Sequence, residues 1–271
     1  MKYEMVTYEK EDGIAILTFN RPQAMNAHNY KMKVEEQAAA EEALKDDEVR
    51  VLVVTGAGRG FHAGDDVKEV FLEGDKDRLK ADQIYSLLGR SDPDSWTAAV
   101  SPRYFYGFPK PTIAAVNGPA VGGGLSIALS CDFRIVSEEA KFGYFFPRRG
   151  LMGPIRGMIT LIHLVGMSRA LEMMLSAELV DAAEAMKIGL ASRLVSKDRL
   201  LDEAKQMARK LMVAAPLSQQ AIKHCLYKAL FEPGNLEDLG ERVGAALHES
   251  EDHREGSLAF AQKRDPVWKS R

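Results

Sequence analysis

The sequence predicts an α/β fold, and three observations carry that reading. Short apolar runs alternate with helix-length segments in the first half, glycine-rich turns follow two of those runs, and the second half is mostly helical. The 271 residues are 46% hydrophobic and 28% charged, enough apolar material to build a core and exclude disorder. A formal net charge of −3 argues against a nucleic-acid surface, which normally shows a basic footprint.

In chain order, the opening MKYEMVTYEKEDG is charged throughout and has no apolar signal core, so a cytoplasmic protein is expected. Residues 13–19, GIAILTF, form an apolar run bounded by Gly13 and Asn20-Arg21-Pro22 and read as a strand. Asn29 caps a helix over roughly 30–45, with Val34, Ala38 and Leu44 turned inward. Residues 50–55 (RVLVVT), 111–116 (PTIAAV) and 132–137 (DFRIVS) are further strands. The 21 residues between Lys110 and Asp132 carry no charge, near the roughly 20 that cross a bilayer. Asn117, Gly118, Pro119 and Gly122-Gly123-Gly124 interrupt them, so a strand, a turn and a buried helix are expected, and no membrane span.

Helices follow at 168–176 and 181–187, and at 200–211 with Leu200, Leu201, Ala204, Met207, Ala208 and Leu211 on one face. Residues 218–230, 236–247 and 251–263 continue the pattern, punctuated by Pro233-Gly234. The expected division is an α/β core over 1–195 and a helical region over 196–271, packed on that core or on a neighbouring subunit.

Two glycine-rich loops could carry chemistry. The first, GAGRGFHAGDD at 56–66, fails as a dinucleotide fingerprint because Phe61 holds the third glycine position. The second, NGPAVGGGLSIA at 117–128, ends in no Gly-Lys-Ser/Thr, so a nucleotide-dependent enzyme is disfavoured. Its Gly124-Leu125-Ser126-Ile127-Ala128 lacks the second glycine of a nucleophile elbow. Glycines 122–124 open an apolar helix whose first N–H groups have no intrahelical acceptor. Such donors stabilise an oxyanion when a second loop supplies another; the same glycines also suit close helix-to-sheet packing. Cys131 and Cys225 form no CxxC pair, and the histidines show no ligand spacing, so reduced thiols and no metal are expected.

A longer series of residues spans nearly the whole chain. It begins with Asn20-Arg21-Pro22, Asn26-Ala27, Gly60-Phe61, Ala63-Gly64 and Asp66, then Lys110-Pro111, Ala114-Ala115-Val116-Asn117-Gly118, Gly122-Gly123-Gly124 and Cys131-Asp132. It continues with Ala140-Lys141-Phe142-Gly143, Gly166, Ser168-Arg169-Ala170, Ala182-Ala183-Glu184-Ala185 and Gly189-Leu190. Glu255-Gly256, Phe260, Lys263-Arg264 and Pro266 close it. In order and spacing the series resembles the crotonase family, the enoyl-CoA hydratases and isomerases.

The resemblance implies a crotonase-like spiral of ββα units with a C-terminal helical trimerisation region, as a homo-trimer or a hexamer built as a dimer of trimers. It implies an acyl-CoA substrate, with coenzyme A present as part of that substrate and no permanently bound cofactor. Carried over, the backbone N–H groups of Ala63 and Gly123 form an oxyanion hole for a thioester enolate, beside Gly122. Ala24, His62, Gly64 and Asp66 lie along the bent CoA, with the His62 side chain packing or facing it and Asp66 also suited to a structural cap. Phe260 and Lys263 on the last helix match positions near the adenine and phosphates, of the same subunit or of an adjacent one.

The family's hydratases place two glutamates across the acyl chain. By spacing from Gly122-Gly123-Gly124 the first position is Ser126, and counting from Phe142-Gly143 the second is Phe146. Leu151, Met152, Gly153 and Pro154 supply no acid either. Asp65 is the leading acid/base candidate, against a solvated or capping role. The Tyr144 hydroxyl is a second proton donor to consider, on the same side of an extended segment as Phe146. Ser126 is expected to hydrogen-bond substrate, and Arg148 and Arg149 to meet an acidic acyl group, a CoA phosphate or a surface carboxylate.

Eight of the 21 aromatic residues cluster as Trp96, Tyr104, Phe105, Tyr106 and Phe108 and as Tyr144-Phe145-Phe146. In the family both stretches border the acyl chain, which implies a bulky, apolar or cyclic acyl group; core or interface packing is the other use of such residues. The expected function is an enoyl-CoA hydratase/isomerase-type enzyme. The alternatives are an acyl-CoA decarboxylase or hydrolase of the same family, and a non-catalytic acyl-CoA binding protein.

Overall fold

The computed structural model describes residues 3–72, 105–231, 234 and 236–271. Its first elements are β1 (Val6–Glu11), β2 (Ile14–Phe19), α1 (Tyr30–Lys45), β3 (Val51–Gly56), β4 (Thr112–Val116), β5 (Pro119–Val121) and α2 (Gly123–Ser130). After these come β6 (Phe133–Ser137), β7 (Lys141–Gly143), α3 (Ile155–Val165), α4 (Met167–Ser176), β8 (Leu179–Asp181), α5 (Ala182–Lys187) and β9 (Arg193–Val195). The helices α6 (Leu200–Leu211), α7 (Pro216–Phe231), α8 (Leu236–Glu249) and α9 (Glu251–Gln262) complete the described chain.

Six strands form one sheet in the order β1-β2-β3-β4-β6-β9, and β5-β7-β8 form a second of three. Only β1 runs antiparallel to its neighbour in the large sheet, through the Asp12-Gly13 turn, where both residues have positive φ. The chain therefore alternates between sheets: β4 to β5, β6 to β7, β8 to β9. This alternation is the ββα spiral expected of the fold.

The middle strands read as continuous apolar runs because both sheet faces are buried. One face, with Leu17, Leu52, Val54, Ala114 and Val136, belongs to the main core. The other, with Ile16, Val51, Val53, Ile113 and Ile135, is covered by Leu200, Ala204 and Ala208 of α6, four residues apart on one helical stripe. Leu201, expected on that stripe, is instead exposed. The helix at 200–211 thus forms a layer of the sheet core, although it lies beyond residue 195.

Asn29 does cap α1, accepting the Met32 N–H at 2.9 Å. The buried face of α1 differs from the expected one. Met32, Ala39 and Ala43 turn inward together with Lys33, Glu35 and Glu36, while Val34 and Ala38 are only half-buried. Polar bonds set that rotation: Glu35 accepts the Glu4 and Met5 N–H groups at 2.8 and 2.6 Å, and Glu36 meets His28 at 2.6 Å. A rule that counts only apolar residues misses such a face. Among the described residues no helix is long and apolar enough to cross a membrane, and no group of three His, Cys, Asp or Glu side chains could hold a metal ion.

Candidate active site

The loop after β3 and the N-terminus of α2 meet at the C-terminal ends of the parallel strands. Two buried asparagines shape the loop. Asn26, at φ 57, donates to the carbonyls of Ala57 and Gly60 at 2.9 and 2.8 Å and accepts the Arg21 N–H at 2.9 Å. Asn117 accepts the Gly56 N–H and donates to the Gly60 carbonyl at 3.1 Å. Beyond them Phe61 and His62 both donate their N–H to the Pro119 carbonyl at 3.1 Å, and Val121 N–H returns to the His62 carbonyl at 3.1 Å. The loop lies so close to α2 that a β-carbon on Gly124 would sit 1.9 Å from the His62 carbonyl oxygen. Gly124 is therefore dictated by backbone approach.

The Ala63 N–H, expected in the oxyanion hole, is donated to the Met25 carbonyl at 3.0 Å. That bond aims it into the loop. The next backbone groups are arranged differently. His28 N–H donates to the Gly64 carbonyl and Asp66 N–H donates to the His28 carbonyl, each at 2.8 Å. Successive peptide groups of an extended chain point to opposite sides, so the intervening Asp65 N–H turns away from His28. Its nitrogen lies beside the start of α2, where a β-carbon on Gly123 would sit 3.9 Å from it. Gly123 opens that helix, and its N–H has no intrahelical acceptor. Gly122 just before it donates to the Gly143 carbonyl at 2.9 Å.

The side chains of the loop are held from behind. Lys33 is 1% exposed, and its ammonium lies 2.6 Å from Asp65 Oδ1. The Asp65 carboxylate, expected as the acid/base group, is thus engaged by a buried cation, with 27% of the side chain exposed. Asp66 Oδ2 meets Arg21 Nη1 at 2.7 Å, and its Oδ1 accepts the N–H groups of Lys68 and Glu69, capping the turn over Val67–Leu72. Burial raises the Asp66 pKa, but the Arg21 bond and the Glu69 N–H outweigh it and hold the group below the usual aspartate value. Asp66 is a cap and an ion-pair partner.

His62 is fully buried and does not face a ligand groove. Its Nδ1 accepts the Gly64 N–H at 2.9 Å, and its ring lies 4.8 Å from Phe19 and 4.1 Å from His28. Burial, and then the neighbouring His28, hold its pKa well below the usual histidine value, so the ring is neutral near neutral pH. Ala24 is half-buried on the short turn Pro22–Ala24.

Ser126 is buried on α2, 3.4 Å from the Gly122 carbonyl oxygen. Its Oγ and the Tyr106 hydroxyl both approach Gly157 of α3, at 3.5 and 3.7 Å from a β-carbon placed there. Tyr144 and Phe146 share one side of their segment, with ring centroids 5.0 Å apart. The Tyr144 hydroxyl donates to the Met152 carbonyl, and burial pushes its pKa up to about 12. Arg148 stacks over Phe145 at 4.7 Å, and neither Arg148 nor Arg149 has a carboxylate partner among the described residues.

Of the aromatic stretch, Trp96 and Tyr104 lie outside the described residues. Phe105 and Phe108 belong to the main core, not to an open wall, while Tyr106 packs against Tyr227 and Phe231 of α7. Phe260 and Lys263 sit at the end of α9; Phe260 is 88% exposed, and α9 packs on α8. The structure does not join those two residues to the loop. Sequence reasoning missed His28, Lys33 and Glu36, which leave no signal beyond a polar residue on a helix or its approach.

Residues 9–271 match the family described as enoyl-CoA hydratase/isomerase. The chain belongs to that family. A protein of Rhizobium meliloti named "Probable enoyl-CoA hydratase" is 36% identical, with 100% of both chains covered. The (E)-benzylidenesuccinyl-CoA hydratase of Thauera aromatica is 34% identical, over 97% of this chain and 98% of that one. Among solved structures, an enoyl-CoA hydratase subunit from Geobacillus kaustophilus superposes with a TM-score of 0.82 at 31% identity, covering 100% of both chains. This family member is accordingly an enoyl-CoA hydratase/isomerase-type enzyme with the crotonase fold.

Proposed function

We propose that this enzyme binds an acyl-CoA thioester with its carbonyl oxygen between the backbone N–H groups of Asp65 and Gly123, and stabilises the enolate that forms there. The observation that carries the reading is the approach of those two backbone groups, with the Ala63 N–H already committed to Met25. Donors fixed before the reaction stabilise developing charge without reorganising, and losing one typically costs about 3 kcal/mol of transition-state stabilisation.

By the family resemblance the two glutamate positions hold Ser126 and Phe146. The usual pair of carboxylates is then absent, and Ser126 can only hydrogen-bond the substrate. Phe146, partly buried against the Tyr144 ring, instead offers an aromatic side chain, which supports a bulky, apolar or cyclic acyl group. The benzylidenesuccinyl-CoA relative supports the same choice. Mass spectrometry of thioesters retained from cell extract tests it, and exclusive retention of short linear acyl groups would overturn it.

The reaction is tested by turnover of enoyl-, aryl- and dicarboxyl-CoA thioesters in heavy-oxygen water. Heavy oxygen in a hydroxyacyl product identifies hydration, and a mass-neutral shift of the double bond identifies isomerisation. Ser126 and Phe146 favour one second reading, an acyl-CoA binding protein; tight binding without turnover of any thioester would establish it. We further propose assembly as a trimer or a dimer of trimers, supported by the exposed Leu171, Leu175 and Leu179 and tested by light scattering.

A further inference from the structure

Two adjacent carboxylates in the loop are held by cations from different elements. Asp66 is taken by Arg21, from the turn before α1, and Asp65 by Lys33, from within α1. The Lys33 ammonium is buried, 2.6 Å from Asp65 Oδ1 and 5.4 Å from the centre of the Tyr30 ring. Lysine is almost never fully buried without a partner, since the desolvated ammonium is costly. Lys33 therefore ties α1 to Asp65, whose backbone nitrogen lies beside Gly123.

The surrounding contacts act in the same direction. His28 brackets Asp65 through two backbone bonds of 2.8 Å, and His62 Nδ1 holds the Gly64 N–H at 2.9 Å. His28 itself is fixed by Glu36, one turn along α1 from Lys33. The loop is thus fastened on its α1 side at Gly64, Asp65 and Asp66.

We propose that Lys33 is a positioning residue: its buried ion pair with the Asp65 carboxylate sets the Asp65 N–H against the thioester oxygen. This rests on the oxyanion reading above. The Asp65 carboxylate then serves as an anchor and transfers no proton. The fold thus pairs the acid beside Gly64 with a buried lysine of α1.

The experiment uses the full chain with two probes. Benzoyl-CoA, labelled with carbon-13 at the thioester, has no α-proton and stays unreacted, so its carbonyl stretch reports polarisation in the bound state. Cinnamoyl-CoA reports turnover. Lys33→Met and the charge-neutral Lys33→Met/Asp65→Asn are compared with the wild-type enzyme. Expected in both variants is loss of most of the red shift of the bound carbonyl, with kcat down about tenfold to hundredfold as for a misplaced catalytic group. Thioester affinity stays within about threefold, and the double variant is no worse than the single, as coupled groups require.

An undiminished red shift and kcat in Lys33→Met would overturn the proposal. So would an Asp65→Asn variant that loses turnover but keeps the full red shift, because the carboxylate would then be the acid/base group. No red shift in wild-type enzyme saturated with benzoyl-CoA would overturn the oxyanion reading itself, and this role with it. Should Lys33→Met alone fail to fold, the neutral double variant carries the same comparison.

Discussion

A side chain on Gly64 would bring its first carbon to 3.1 Å from the amide nitrogen of Gly123. Gly64 also has φ +86, a conformation that costs other residues about 1–3 kcal/mol. Gly64→Ala must therefore push the two donor segments apart. The expected result is a folded protein with a lower melting temperature and a kcat/KM for its thioester reduced about a hundredfold. Steady-state kinetics beside a thermal melt checks both halves.

Tyr144 gives the opposite expectation. Its hydroxyl is already donated to the Met152 carbonyl, and its pKa near 12 keeps it protonated through the working range. Tyr144→Phe should cost about 1 kcal/mol of stability, the net worth of one hydrogen bond. Turnover should stay within about threefold of wild type. A loss of a hundredfold would make the hydroxyl the proton donor and remove this assignment.

The pH dependence of stability follows from His62. Its folded pKa lies well below the ordinary 6.5, chiefly through burial. Below pH 6.5 the unfolded chain takes up a proton that the folded one refuses, so stability falls as pH drops. The slope from this group approaches about 1.4 kcal/mol per pH unit until the folded pKa is reached. Above pH 6.5 the contribution is complete and flat. Urea unfolding between pH 5 and 8 measures the slope, and the ring-proton resonance of His62 should titrate at a lower pH than that of an exposed histidine.

Asn26 tests the loop scaffold. Its amide nitrogen faces the carbonyl oxygens of Ala57, Gly60 and Phe61 from a fully buried position. Asn26→Asp keeps the shape but replaces the donor with an acceptor, leaving those carbonyls opposed by another oxygen. A loss of about 3 kcal/mol or more is expected, as for a buried polar group left unsatisfied. Asn26→Asp as stable as wild type in denaturant unfolding would contradict this account of the loop.

The parts of the fold legible in the sequence were those buried on both sides. The strands near 50–55, 111–116 and 132–137 are continuous apolar runs, and α6 shows its inward stripe because Leu200, Ala204 and Ala208 face a flat sheet. β1 was not legible, since VTYEKE is an edge strand whose last three residues are exposed. β5, β7 and β8 span three residues each, too short for alternation to show. In α3 the run IRGMITLIHLV starts at the exposed Ile155 and buries Gly157, Thr160 and Leu161, so two of its three buried residues lack the apolar side chain that would mark the inward face.

For the site, glycine spacing located both loops. It could not say which N–H faces outward, because that depends on the Met25 carbonyl taking one and on His28 bracketing another. Lys33 was illegible for a related reason: only the fold shows that its helix face is turned toward Asp65.

A crystal structure with bound benzoyl-CoA tests the pair of donors. The thioester oxygen is expected about 3 Å from both the Asp65 and Gly123 nitrogens, with the Ala63 N–H still on the Met25 carbonyl. A thioester oxygen bound to the Ala63 nitrogen, or away from Gly123, would contradict it.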